Sequence, residues 1–219
     1  MKKRFLISLL LLLILSTYSI QENFSFKKKF AIEKVIIENN VVVKKSKIKN
    51  ELSYLYEKNL FFLRLNPIKT KLNQIDFINS FEIKKIYPNK IKIKVFEEEP
   101  IAIIQNKKEK KYYTASGKTI NYIKLDKFDN IPTVFGDANN FHKFFLNLKN
   151  VNFPIDEIKK FYFFESKRWD LVTIQNQIIK LPIDDYNQSL KNFLYLRGES
   201  GFKKYKTFDY RINNQLILK

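Results

Sequence analysis

From Ile91 to Val95 the chain reads Ile-Lys-Ile-Lys-Val, apolar and basic residues in strict alternation. Successive side chains of a strand point to opposite faces, so the stretch is expected to be a strand with one buried and one wet face. Tyr87-Pro88-Asn89-Lys90, directly before it, is a turn in which proline presets φ, and Ile78 to Ile86 is the strand leading in. A half-buried strand needs a layer to cover it, and the upstream residues supply one. Ile32 to Ile37 is a β-branched strand closed by Glu38-Asn39-Asn40. A helix starts near Ser46, a candidate N-cap, with Ile48, Leu52 and Leu55 on one face. Asn66-Pro67 opens a second helix, cap and then proline in the first turn, whose apolar face is Ile68, Leu72 and Ile75. The expectation is a β-α-α-β-β unit with two helices on one face of a three-stranded sheet.

Beyond Pro100 the segments shorten and become β-rich. Turns fall at Asn106-Lys107-Lys108 and Ser116-Gly117-Lys118. Strands are expected at Ile101–Gln105, Lys111–Thr114, Thr133–Phe135, Ile158–Phe164, Arg168–Thr173, Gln177–Leu181, Lys206–Arg211 and Gln215–Leu218, the last two joined by a tight Asn213-Asn214 turn. Helices are expected at Asn140–Leu148 and Asp185–Arg197, with Asp184 and Asp185 as caps. The second unit is therefore a mostly antiparallel sheet carrying two helices, and the chain is α+β.

The N-terminus is different in kind. Met1-Lys2-Lys3-Arg4 is a basic stub, followed by mostly apolar residues from Phe5 to Ile20. As a helix those 16 residues rise about 24 Å against a hydrocarbon core of about 30 Å, a gap that snorkelling of Lys2 to Arg4 and an interfacial Tyr18 would close. Two outcomes stay open: a retained membrane helix, or a signal segment cut after Ser19. In either, the bulk of the chain is expected outside the cytoplasm. The boundaries read as a stub over 1–4, a membrane helix over 5–22, a linker over 23–30, the first unit over 31–99 and the second over 100–219. The anchor would be Phe5, Leu9, Leu10, Leu11, Leu12, Leu13, Ile14 and Leu15.

Composition excludes much chemistry. The 219 residues include no Cys, one His and four Gly. Thiolate nucleophiles, disulfides, iron–sulfur clusters and multi-His metal centres are impossible, and no glycine-rich phosphate loop occurs. No cofactor, metal or small-molecule substrate is expected, and no enzyme activity. Glu97-Glu98-Glu99 are neighbours on a strand and cannot converge as paired acids across a cleft. They read as a solvated strand end or as partners of Lys84 and Lys85. The 41 Lys and Arg against 22 Asp and Glu, a formal net charge of +19, are spread along the chain and accompany a general excess of residues with AT-rich codons. Nucleic acid is therefore not an expected partner. Phe161-Tyr162-Phe163-Phe164 reads as a strand buried on both faces rather than a base-stacking platform, Trp169 as core, and His142 as a surface or core-edge residue.

Several segments, in order, resemble the FtsQ family of bacterial cell-division proteins, called DivIB in other bacteria. Lys85 to Ala102 (KIYPNKIKIKVFEEEPIA) is similar to that family's R-x-x-P-x-x-L-x-I-x-V-x-E-x-x-P-x-A stretch. Ser116 to Ile120 resembles its D-x-x-G-x-x-I turn, with Thr114 where Asp is usual. Ile131 to Gly136 resembles L-P-x-L-x-G, Arg168-Trp169-Asp170-Leu171 and Ile179 to Pro182 its paired strands, and Asp209-Tyr210-Arg211 its D-L-R. The likeness covers about residues 30–219. Lys85 stands where Arg is commoner, which turns a bidentate contact into a point-charge one.

The resemblance implies a membrane span, a POTRA domain and a β domain, and a non-catalytic scaffold in the division complex at the septum. It implies single-pass placement in the inner membrane with the bulk in the periplasm, a bilayer contact through the N-terminal helix, and FtsB and FtsL as protein partners, FtsB received beside the last strand. The residues of that contact would be Arg211, Ile212, Gln215, Leu216, Ile217 and Leu218. The pattern itself adds a reason. A strand with one buried face alternates, yet Leu216, Ile217 and Leu218 are all apolar, so both faces are expected to be covered, by this chain or another. An ordinary internal strand is the plain alternative. Replacing Ile217 by Pro is expected to end partner capture. An export or outer-membrane assembly factor with a POTRA domain is the alternative function, though repeats or a lipid-facing strand pattern should then appear. A cell-wall hydrolase lacks any converging acid and base.

Overall fold

β-Branched runs and short amphipathic stretches settle the first unit. The computed structural model describes residues 2–17, 29–107, 109–212 and 215–219, and the chain divides into compact units at 1–97 and 98–219. In the first, β1 (Lys34–Glu38), α2 (Lys45–Glu51), α3 (Asn66–Asn73), β2 (Ile78–Ile86) and β3 (Lys90–Glu97) follow in that order. The sheet order is β1-β3-β2, with β1 parallel and β2 antiparallel to β3. Parallel neighbours need a crossover, and α2 and α3 are that crossover. Ile91, Ile93 and Val95 are fully buried, as are Ile48, Leu52, Leu55, Ile68 and Leu72. The alternation is as the sequence reading has it; the helices are shorter than their expected faces, with Leu52 the cap of α2, Leu55 in a following 3-10 turn and Ile75 beyond α3, although all three are buried. The caps are not: Lys44 and Leu65 hold the cap positions and neither offers a side-chain bond, so Ser46 and Asn66 lie inside their helices.

In the second unit one sheet of nine strands runs β12-β11-β10-β9-β8-β7-β4-β5-β6. The strands are β4 (Pro100–Asn106), β5 (Glu109–Thr114), β6 (Thr119–Asn121), β7 (Thr133–Phe135), β8 (Ile158–Phe163), β9 (Trp169–Thr173), β10 (Ile178–Lys180), β11 (Thr207–Asp209) and β12 (Ile217–Leu218). β7 is parallel to both its neighbours and β10 to β11; the remaining pairs are antiparallel. Helices α4 (Ala138–Asn150) and α5 (Tyr186–Leu196) precede β8 and β11 and make the parallel connections possible. Their buried Phe141, Phe144, Leu148, Leu190 and Phe193 form one core with the sheet. Register sets Phe161, Leu171, Ile179, Phe208 and Leu218 side by side across five strands as the inner row.

Trp169 is core, as expected, stacked on Phe144 at 4.7 Å between centroids. The aromatic run behaves differently from its reading. Phe161 is inward and fully buried, Tyr162 stacks on Phe135 on the opposite face, and Phe164 lies past the strand, half-exposed. Asp137 caps α4 by accepting from the Asn139 and Asn140 N–H groups, a cap the sequence reading missed. Asp185 does sit at the start of α5, but it adopts a left-handed φ of 54° and caps nothing with its side chain. The Asn213-Asn214 turn lies outside the described residues.

One expectation is overturned. The N-terminal helix α1 runs Lys2–Thr17, 16 residues, about 24 Å. Among the described residues no helix is long and apolar enough to cross a membrane. A bilayer core of about 30 Å exceeds that length, so single-pass inner-membrane placement is not supported. Residues 18–22, the end of the expected span, and the expected cut after Ser19 lie outside the described residues. Phe5 and Leu9 to Leu15 are all exposed on α1, by 47% to 72%.

Candidate functional site

The end of the nine-stranded sheet is where the six residues expected to receive a partner come together. β12 is an outermost strand of that sheet and pairs only with β11, Phe208 opposite Leu218 and Asp209 opposite Ile217. Leu216 and Leu218 turn inward and pack on the core. Ile217 turns outward and is 38% exposed. The three apolar residues thus alternate in direction, and the cover expected on both faces is supplied by this chain on one face alone.

The backbone alternates too. Thr207 and Lys219 exchange both of their hydrogen bonds, Lys219 N–H to Thr207 O at 3.1 Å and Thr207 N–H to Lys219 O at 2.9 Å. In an antiparallel ladder the bonded pairs recur every second residue. Ile217 is therefore in the next bonded pair, with its N–H toward β11, and the groups of Leu216 and Leu218 point away from the sheet. A proline at 217 would remove a bond inside this chain. A proline at 218 removes the donor on the open edge.

A groove of about 640 Å³ opens beside this strand, between the start of α5 and the segment after β11. Arg211, Ile212, Gln215 and Leu216 line it, with Asp185 and Tyr210. Arg211 is already held: its Nε donates to Asp209 Oδ1 at 2.8 Å and its Nη2 to Oδ2 at 2.6 Å. Arg211 lies two residues past the end of β11 and bends back onto Asp209, the last residue of the strand, whereas the sequence reading expects Arg211 to meet a partner. The Tyr210 hydroxyl donates to Asn192 Oδ1 at 3.0 Å, and burial pushes its pKa up, so it remains a donor.

Behind the strand, register lines up Asp170, Lys180 and Asp209 on the face away from the helices. The Arg211 hydrogen bond holds the Asp209 carboxyl below the usual range. Burial pushes Asp170 above it, partly opposed by Arg168, whose Nε donates at 3.0 Å. The signs are opposite. Asp209 contributes stability that is complete above a free carboxylate's pKa, about 4, and is lost as pH falls through its lowered folded value. Asp170 contributes most below about 4 and loses that contribution as pH rises through its raised value. Replacing Asp209 by Asn is expected to cost about 2 kcal/mol at pH 7, the scale of a charge-assisted pair. In urea melts the gap to the parent chain should shrink at pH 3; a gap unchanged with pH contradicts this account.

Glu97, Glu98 and Glu99 diverge, and the lysines expected as their partners are not. Glu97 accepts from the backbone N–H groups of Val41, Val42 and Val43 at 2.8–3.0 Å. Glu98 is buried and accepts from Ser116 Oγ at 2.8 Å and Lys118 Nζ at 2.9 Å. Glu99 is exposed. Lys85 Nζ instead donates to the carbonyls of Phe61 and Leu63, at 3.3 and 2.9 Å. His142, exposed, meets the Tyr113 hydroxyl through Nδ1. Among the described residues no cluster of three or more His, Cys, Asp or Glu could hold a metal ion.

Comparison with known proteins adds a family. A family model described as the POTRA domain of FtsQ type matches residues 30–98. Cell division protein FtsQ of Rickettsia felis is 28% identical over 193 residues, 86% of this chain and 72% of that protein. FtsQ of Rickettsia typhi is 28% identical over 210 residues, 94% and 77% of the two chains. Cell division protein DivIB of Clostridium tetani is 32% identical over 127 residues, 58% and 44%. The solved extracytoplasmic domain of DivIB from Geobacillus stearothermophilus overlaps 47% of this chain at 8% identity, with a TM-score of 0.31, too loose to bear on the fold. The likeness read from the residues is thereby found independently: the chain carries an FtsQ-type POTRA domain and resembles the FtsQ and DivIB division proteins along most of its length.

Proposed function

We propose that the chain is a non-catalytic docking protein of the bacterial division machinery, which receives an extended segment of a partner along the open edge of β12. The supporting observation is the geometry of that edge: an outermost strand, an outward Ile217 and backbone groups of Leu216 and Leu218 directed away from β11. An added strand would satisfy those groups and cover Ile217, main-chain bonds giving affinity and side-chain pockets selectivity. The groove lined by Ile212 and Gln215 offers room for the segment to continue. The division role comes from the named relatives, and the partners that the family resemblance implies are FtsB and FtsL.

The test separates backbone from side chain. A fluorescent peptide from the strand-forming part of the FtsB partner is titrated against the chain. Leu218→Ala keeps the outward N–H and is expected to weaken binding less than tenfold; Leu218→Pro removes it and should weaken binding at least a hundredfold. Equal affinities for the two variants would remove strand addition as the mechanism.

A further inference from the structure

One end of the first unit gathers exposed aromatic rings and positive charge. The Leu60 N–H donates to Phe30 O at 2.8 Å, Ala31 bridges to Asn59, and the N–H groups of Glu33 and Lys34 both reach Asn89 O. These contacts bring segments 29–34, 57–64 and 84–90 to the same end of the sheet. There Phe61 is 54% exposed, Phe62 72% and Tyr87 52%. They form a connected group: Phe61 meets Phe62 edge-on at 5.2 Å, Phe61 lies 6.5 Å from Tyr87, and Phe30 lies 6.2 Å from Tyr87. Lys85 fixes the Phe61–Leu63 backbone from below through its two carbonyl contacts. The rings are therefore presented by a braced loop.

The three segments contain two, two and three Lys or Arg in turn, seven in all, against two carboxylates, Glu33 and Glu57. Asn89 Nδ2 donates to Glu33 Oε2 at 2.5 Å. Large rings standing out of a cationic surface suit one chemistry best, the headgroup layer of a bilayer, where an aromatic sits among acyl glycerols and lysines face anionic phosphates. We infer that this end of the first unit rests on an anionic phospholipid surface, with Phe61, Phe62 and Tyr87 inserted at headgroup depth and the surrounding cations paired to lipid phosphate. The contact needs a bilayer surface and no helix that crosses one.

The chain has no cysteine, so a single Phe62→Cys substitution carries an environment-sensitive dye to one place, and Val41→Cys, 75% exposed near the other end of β1, is the control. Both are made in the full chain and mixed with phosphatidylglycerol vesicles, so that any binding through α1 is common to the two. The dye at 62 is expected to shift to the blue and be quenched by headgroup-proximal spin-labelled lipid, while the dye at 41 stays unchanged. Replacing Lys34, Arg64 and Lys90 together by Glu should raise the vesicle concentration needed for half of that shift at least tenfold, as should 0.5 M salt, since exposed charges are screened over a few ångströms there. A silent dye at 62, with or without vesicle binding of the chain, overturns the inference, as does an equal response at 41. A shift on concentrating the protein without vesicles would assign the patch to a second copy, and a shift with single-stranded DNA alone to nucleic acid; either overturns it as well.

Discussion

Replacing Phe161 by Ala is expected to cost about 4 kcal/mol, the range measured for emptying a large aromatic site in a packed core. Phe161 is fully buried on β8, the middle strand of the nine-stranded order, with Phe141 at 5.3 Å and Phe144 at 6.1 Å between ring centroids. Neighbours on two helical turns and the inner row of the sheet all lose contacts at once, and none is long enough to refill the space. The thermal midpoint of the second unit should fall by roughly 15 °C. Circular dichroism melts check this, and a cost below about 1 kcal/mol would mean that the site collapses around the missing ring. Since β12 belongs to the same sheet, peptide capture at 37 °C should weaken in parallel with the lost fold.

Glu97→Ala is expected to have the largest effect in the first unit, about 3 kcal/mol. One carboxylate satisfies three consecutive backbone N–H groups, at Val41, Val42 and Val43, in the segment that leads from β1 to α2. Hydrogen bonds to a charged acceptor contribute about 1.5–3 kcal/mol each, and water can replace those of the exposed Val41 more readily than that of the buried Val43. A small unit is stable by only on the order of 5 kcal/mol, so this variant should lie near its unfolding threshold at 37 °C. Proteolysis of the first unit measures it. Glu97→Gln, which keeps one oxygen but no charge, should fall between, and a Gln variant as weak as Ala would show that the charge carries the whole effect.

These two sites differ in how far they could be read in advance. Phe161 announced itself through an apolar strand pattern, as did Ile91, Ile93 and Val95 through strict alternation and Ile48, Leu52 and Leu55 through helical spacing. Periodicity survives folding because it is set locally by the backbone. Glu97 was invisible as a latch: its partners lie more than fifty residues earlier and are backbone groups that any residue would carry. The Lys85 contacts were hidden for the same reason, since a carbonyl acceptor leaves no mark in a sequence. Helix starts failed where caps were expected from residue type alone, at Ser46 and Asn66. The N-terminal run was legible as a helix, while among the described residues that helix is not long and apolar enough to cross a membrane. Arg211, Ile212, Gln215 and Leu216 lie near the last strand, Ile217–Leu218, but which N–H groups face outward depends on register, which only pairing with β11 fixes.

The lone indole has an experimental consequence. Trp169, stacked on Phe144 within the second unit, is the sole tryptophan of the chain. Light at 295 nm therefore excites one half of the molecule selectively. Its emission follows loss of the second unit's interior and is blind to melting of the POTRA domain, so fluorescence and far-ultraviolet dichroism recorded on one sample report the two halves separately, with no label introduced.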